Sequence, residues 1–140
     1  MFGKKKTKPV KIHDLNELKP LVESGKPVLI DFFQFGCGPC KVMDGIVNEL
    51  AADYGDSAHV VKVNVSDVRG AAQTFGVRST PTFVLLGGAP TKKQSRKKRA
   101  RTQEAPQGKR VTPRWRGAGL IKKDYLERVL ESNGASRGES

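Results

Sequence analysis

The sequence predicts an α/β layer fold, with a central mixed sheet of four to five strands flanked by helices. Three observations predict it. Apolar or alternating runs of strand length recur at Val28-Leu29-Ile30-Asp31-Phe32-Phe33, Val60-Val61-Lys62-Val63-Asn64-Val65 and Thr82-Phe83-Val84-Leu85-Leu86. The stretches between them carry apolar residues at helical spacing and end on glycine or proline. The chain has 140 residues, the usual size of one domain and enough for a hydrophobic core without structural disulfides.

Each element follows from its residues. Val10-Lys11-Ile12-His13 alternates as a short first strand should. Asp14 with Glu17 three residues on is a capping-box pattern, and Leu15, Leu18 and Val22 give the helix after it an apolar face. Pro20 lies inside that helix and is expected to bend or end it. Gly25-Lys26-Pro27 signals a turn into strand 28–33. The next helix is expected from about Cys40 to Tyr54, with Val42, Met43, Ile46, Val47 and Leu50 as its apolar face and Gly55 as its stop. After strand 60–65, Asp67 is expected to cap a short helix from Val68 to Phe75, stopped by Gly76. Pro81 precedes strand 82–86. A further strand, Lys109 to Trp115, is expected beside it, at a sheet edge because of Pro113, with Gly117 ending it. Tyr125, Leu126, Val129 and Leu130 form the apolar face of a last helix, stopped at Asn133-Gly134, after which the tail should fray. The domain layout is then a basic tail at 1–9, one domain at 10–132 interrupted by a basic insertion at about 87–108, and a C-terminal tail at 133–140.

Charge singles out the insertion. The net charge is +12, yet residues 89–116 alone hold eleven Lys/Arg against one acid. The insertion has almost no apolar residues and is expected to be disordered. Its length is tolerable, because each doubling of a loop adds only about 0.6 kcal/mol of closure entropy. Three readings of it stand open: a solvated loop without a role, a phosphate-contacting segment for nucleic acid or another acidic partner, and a basic localisation signal. With no aromatic side chain between 89 and 108, base stacking is not expected and binding would tolerate any sequence. No apolar h-region follows the basic N-terminus, and no apolar run approaches the length of a membrane span. A reducing cytoplasm, a monomer and no membrane contact are the expectations.

The chemistry centres on Cys37-Gly38-Pro39-Cys40, which holds both cysteines of the chain. Two cysteines cannot make a disulfide framework, but a pair where a strand meets a helix suits thiol–disulfide exchange. A helix N-terminus offers free N–H groups and a positive dipole end, and both stabilise a thiolate. Cys37 is placed to attack a substrate disulfide, and Cys40, one turn on, to resolve the mixed disulfide. Pro39 sits where a missing N–H costs least. Asp31 is a carboxylate in an apolar strand, which is costly without a role or a partner. It could take the proton that Cys40 must lose, with Lys62 paired to it; the plainer alternative is that both face solvent at strand ends. Zinc binding would need more ligands than His13 and His59, neither of which has the spacing, so no metal and no bound cofactor are expected.

These pieces together resemble the thioredoxin family. The resemblance rests on Asp31-Phe32, the C-G-P-C motif, Lys62-x-Asn64, the run F-G-V-R-x-x-P-T-F from Phe75 to Phe83, and Gly117-Ala118 before the last helix. It covers about residues 10–86 and 109–132 and implies the thioredoxin fold. It implies a protein-disulfide reductase acting on disulfide-containing proteins and recharged by a reductase-like electron donor. Asp31 then resembles the family's buried acid, Lys62 its neighbour, and Pro81 a cis-proline beside the disulfide. A substrate-binding surface of Gly36, Gly38, Pro39, Thr80, Pro81, Arg116 and Gly117 is implied with them. The chain departs from the family at Gly36, where tryptophan is usual, at Gly45, where proline is usual, and at Arg116, where the residue is typically apolar. Arg78, Arg114 and Arg116 are read as ringing the groove and favouring acidic partners. The competing function is a thioredoxin-like binding or scaffold module whose basic loop, not its thiols, carries the role.

Overall fold

The computed structural model describes residues 7–88 and 113–138. The elements of these residues run β1 (Val10–Lys11), a 3-10 turn (Leu15–Glu17), α1 (Leu18–Glu23), β2 (Pro27–Phe33), α2 (Gly38–Tyr54), β3 (His59–Asn64), α3 (Ala71–Phe75), β4 (Thr82–Gly87), β5 (Trp115–Ala118) and α4 (Lys123–Glu131). The strands form one mixed sheet in the order β1-β3-β2-β4-β5. β3 pairs parallel with both β1 and β2, whereas β4 runs antiparallel to β2 and β5.

β2 is the centre of the sheet, and all seven of its residues are buried. A strand covered on both faces needs apolar side chains on both, which is why it reads as a continuous run and not an alternation. Successive side chains point to opposite faces, and two cores result. Leu29 joins Met43, Val47 and Leu50 of α2, Phe83 and Leu85 of β4, and Leu126 and Leu130 of α4. Val28, Ile30 and Phe32 join Val61 and Val63 of β3, Leu18 of α1, and Ala71 and Phe75 around α3. Phe32 and Phe75 meet with ring centroids 5.0 Å apart.

Several local expectations need correction. The Asp14–Glu17 capping box forms, with Asn16 N–H donating to Asp14 Oδ1 at 2.7 Å, but it opens the 3-10 turn and not the α-helix. Pro20 neither bends nor ends α1, because it falls in the first turn, where backbone N–H groups have no intrahelical acceptor anyway. Asp67 caps no helix. Residues 65–70 form turns instead, held by Ser66 N–H on Asn64 Oδ1 and by the Asp67 and Val68 N–H groups on the Asn64 carbonyl. α3 starts only after Gly70, whose φ of 79° interrupts helical geometry.

β5 lies later than expected. Pro113 and Arg114 precede it, and Gly117 sits within it opposite Phe83 instead of ending it. A Cβ on Gly117 would lie 2.8 Å from the Trp115 ring and 3.0 Å from Ile121, so close packing selects glycine there. Residues 133–138 are tied down and do not fray. Asn133 and Ala135 are buried, Ser136 N–H donates to Ser57 Oγ at 2.8 Å, and Arg137 pairs with Asp53 and Glu127. Residues 1–6, the insertion from 89, the start of the returning strand up to 112, and residues 139–140 lie outside the described residues.

Candidate active site

β2 delivers the chain to the site, and α2 begins it. After Phe33, residues 34–36 turn, with Gly36 at φ 81°. That left-handed conformation is open to glycine at no steric cost, whereas a side chain would be strained there. The residue that departs from the family's usual tryptophan is thus the one this turn demands. Cys37 is the N-cap of α2 with extended dihedrals, φ −90° and ψ 108°. Its Sγ accepts the Cys40 backbone N–H at 3.1 Å. Pro39 stands in the first turn, where its missing N–H leaves no bond unmade. Cys37 and Cys40 are joined as a disulfide, with Cα atoms 5.2 Å apart. Cys37 is half-buried, while Cys40 is only 5% exposed.

Thr80 and Pro81 come to the same place from the start of β4. The Thr80–Pro81 bond is cis, and the Thr80 carbonyl oxygen lies 3.4 Å from Cys37 Sγ. Thr82 Oγ1 donates to the Ser79 carbonyl at 2.7 Å, and Gly119 N–H to the Pro81 carbonyl at 2.9 Å, which fixes this corner from both sides.

Asp31 does not face solvent at a strand end. It is 2% exposed, on the sheet face that α2 covers, and its Oδ1 has no hydrogen-bond partner among the described residues. Burial pushes its carboxyl up to about 7; the Lys62 charge opposes this, and Asp44 reinforces it. Lys62 is the register partner of Asp31 across β2 and β3, as expected of a neighbour. It does not ion-pair with Asp31, however. Its Nζ donates to Asp44 Oδ1 at 2.9 Å and lies 4.9 Å from the centre of the Phe33 ring.

The arginine ring does not form. Arg116 donates from Nη1 to the Phe75 carbonyl at 2.8 Å and from Nη2 to the Gly76 carbonyl at 3.0 Å. It therefore closes the C-terminal end of α3, where a cation suits the free carbonyls. Arg114 lies at the other pole of the sheet, its backbone N–H on the Leu85 carbonyl and its Nη2 on the Gly88 carbonyl. Arg78 is exposed.

Two residues at the site carried no sequence reading. Phe35 is 74% exposed in the loop before the cysteines, edge-on to Phe33 at 6.2 Å, with Lys11 Nζ 5.7 Å from each ring. Its only signal was an aromatic residue two positions before Cys37. Asp44 follows Cys40 by four residues, a spacing that puts both on one side of α2. A carboxylate between Met43 and Ile46 of the apolar face was the signal that could have found it. Among the described residues, no group of three His, Cys, Asp or Glu side chains could hold a metal ion. His59 instead bonds Ser24 Oγ at 3.1 Å.

The chain is similar to known proteins. The thioredoxin family model matches residues 9–106. Thioredoxin 1 of Synechococcus elongatus is 38% identical over 75 residues, spanning 54% of this chain and 70% of that protein. The thioredoxin of Haemophilus influenzae is 39% identical with the same spans. Among solved structures, a point mutant of a thioredoxin from Halobacterium salinarum superposes with a TM-score of 0.66 at 26% identity, covering 94% of this chain and 96% of that one. Malassezia sympodialis thioredoxin superposes with a TM-score of 0.67 at 22% identity, covering 93% and 95%, and shares the fold.

Proposed function

The chain belongs to the thioredoxin family, and from that premise we propose how its residues divide the work of a thiol–disulfide oxidoreductase. The enzyme reduces protein disulfides by dithiol–disulfide exchange, and its partners are disulfide-bearing proteins and a reductase. In our reading Cys37 is the attacking thiolate. Its Sγ bonds one sulfur of the substrate disulfide, and the other sulfur leaves as a thiolate. Cys40 then gives its proton to the Asp31 carboxylate and attacks Cys37 Sγ. The Cys37–substrate bond breaks, the second substrate sulfur leaves, and the Cys37–Cys40 disulfide remains. Two electrons have passed from the enzyme to the substrate, and the reductase returns them. No bound cofactor enters this cycle.

The observation that carries the assignment is the Cys40 N–H on Cys37 Sγ at the N-cap of α2. A donor aimed at that sulfur, together with the helix dipole, favours the thiolate at Cys37 over Cys40. The greater exposure of Cys37 agrees with this order. Thr80, Pro81, Gly36, Gly38 and Pro39 surround the disulfide, and an extended substrate segment against Thr80 fits the open backbone there. Gly117 and Arg116 belong to packing and to the end of α3, and we assign them no substrate contact.

Disulfide reduction measured with insulin separates this reading from a pure binding module. Wild type should turn over, Cys37→Ser should lose all turnover, and Cys40→Ser should accumulate the mixed disulfide. A wild-type protein without activity would leave the binding module as the better account. Residues 89–116 are proposed to contact nucleic acid or another acidic partner through their charge. Deleting 89–108 should then flatten the salt dependence of that binding. No helix among the described residues is long and apolar enough to cross a membrane. A cytoplasmic, monomeric protein completes the proposal, and sedimentation would reveal a dimer.

A further inference from the structure

We propose that Asp44 is a positioning residue for the resolving half-reaction: by holding Lys62 Nζ it keeps that ammonium from the Asp31 carboxylate and leaves Asp31 able to accept the Cys40 proton. The inference rests on the reading of Asp31 as the base. Three observations support it. Asp31 and Lys62 stand opposite each other in neighbouring parallel strands, so their side chains leave the same face of the sheet. An unopposed ammonium there would find the buried carboxylate as its nearest acceptor. The ammonium is instead bonded to Asp44 at 2.9 Å, and an Asp31 oxygen is left without a partner.

The neighbours of Asp31 leave no other group to do this. β4 places Phe83 opposite it. α4 faces the same core with Leu126, Val129 and Leu130. Lys11 of β1 stands beside the Phe33 and Phe35 rings. Among the described residues, the charges that act on Asp31 are Lys62 from β3 and Asp44 from α2. A carboxylate bonded directly to an ammonium is a weak base, because the opposite charge favours its ionised form. Diverting the ammonium to Asp44 weakens that effect, because the direct bond is not made. In the step served, the Cys40 Sγ–H proton passes to Asp31, the Cys40–Cys37 bond forms, the Cys37–substrate bond breaks, and the substrate sulfur leaves with the electron pair.

The test follows the Asp31 carboxyl by carbon NMR in the reduced protein, alongside the pH dependence of mixed-disulfide resolution. Asp44→Asn should lower both midpoints by about one pH unit. In a Lys62→Gln background the same substitution should move them far less, because the ammonium it would release is gone. Midpoints that stay put in Asp44→Asn would overturn the inference, as would an equal fall with and without Lys62. A purely structural Asp44 would change the melting temperature and leave the midpoints alone. Asp31→Asn separates the two levels: if it leaves the pH dependence of resolution intact, the reading of Asp31 as base fails. If it removes that dependence while Asp44→Asn does nothing, only the role of Asp44 fails.

Discussion

The two faces of β2 differ in kind. Val28, Ile30 and Phe32 point into a core of apolar side chains whose one buried hydroxyl among the described residues, that of Thr82 opposite Phe32, is bonded to the Ser79 carbonyl. Leu29, Asp31 and Phe33 point to the face covered by α2, and that face holds a buried carboxyl with an unmatched oxygen, a lysine and a second carboxylate at the boundary. One strand thus supplies packing on one side and proton chemistry on the other. The helix that carries the cysteines lies on the chemical side. The lesson is that the stability of this fold and its reactivity are separable by side-chain parity along a single strand.

Substitutions of opposite parity should break or sharpen that separation. The largest effect is expected from Phe32→Ala, which empties a fully buried aromatic site and should cost about 3–5 kcal/mol in denaturant unfolding. The folded fraction should still turn over substrate at the normal rate. Asp31→Ala should do the opposite. Its folded-state pKa is raised from 3.8 to about 7, so the folded protein holds this proton more tightly than the unfolded chain does. The stability this contributes is full below pH 4 and lost as pH rises through 7, amounting to about 4 kcal/mol. Removing the carboxyl, less the cavity it leaves, should therefore stabilise the protein by about 2–4 kcal/mol at pH 8 and by little at pH 4, while resolution slows. Equal gains at both pH values would show that ionisation is not the cause.

Smaller effects test the periphery. Arg116→Gln removes two charge-assisted bonds to the end of α3 and should cost about 1–2 kcal/mol. Reduction of acidic and neutral disulfide substrates should change alike, and a selective loss with acidic substrates would restore Arg116 to the groove. Gly45→Ala is the mildest. A Cβ at position 45 meets nothing within 4 Å, so the helix should gain about 0.5–1 kcal/mol with no change in activity.

What could be read in advance depended on how local the cause was. β2 and α2 were legible because burial on both faces and a helical stripe are written in consecutive residues. The Cys37–Cys40 pair was legible because its spacing and its place before a helix are sequence properties. The partner of Lys62 was not, since Asp44 lies 18 residues away and only the packing of α2 on β3 brings them together. Arg116 looked like a rim residue for the same reason: its acceptors, at Phe75 and Gly76, become neighbours only once β5 is in register with β4. Gly36 stood out as an oddity, and the backbone angle that explains it is invisible in the letter itself. Asp67 had the chemistry of a cap, but the left-handed Gly70 between it and α3 decided otherwise.

The antiparallel pairing of β4 with β5 has one more consequence. Thr82, at the redox end of the sheet, lies opposite Phe32, whereas Gly87 lies opposite Pro27, about 17 Å further along at the usual rise of a strand. Gly88 and Arg114 are joined by a hydrogen bond at this far end of the sheet. The molecule therefore has a port at the pole opposite its thiols. Because loop length adds closure entropy only slowly, a fluorophore, a peptide tag or a guest domain inserted between these two anchors should leave the register of β4 with β5, and electron transfer, untouched.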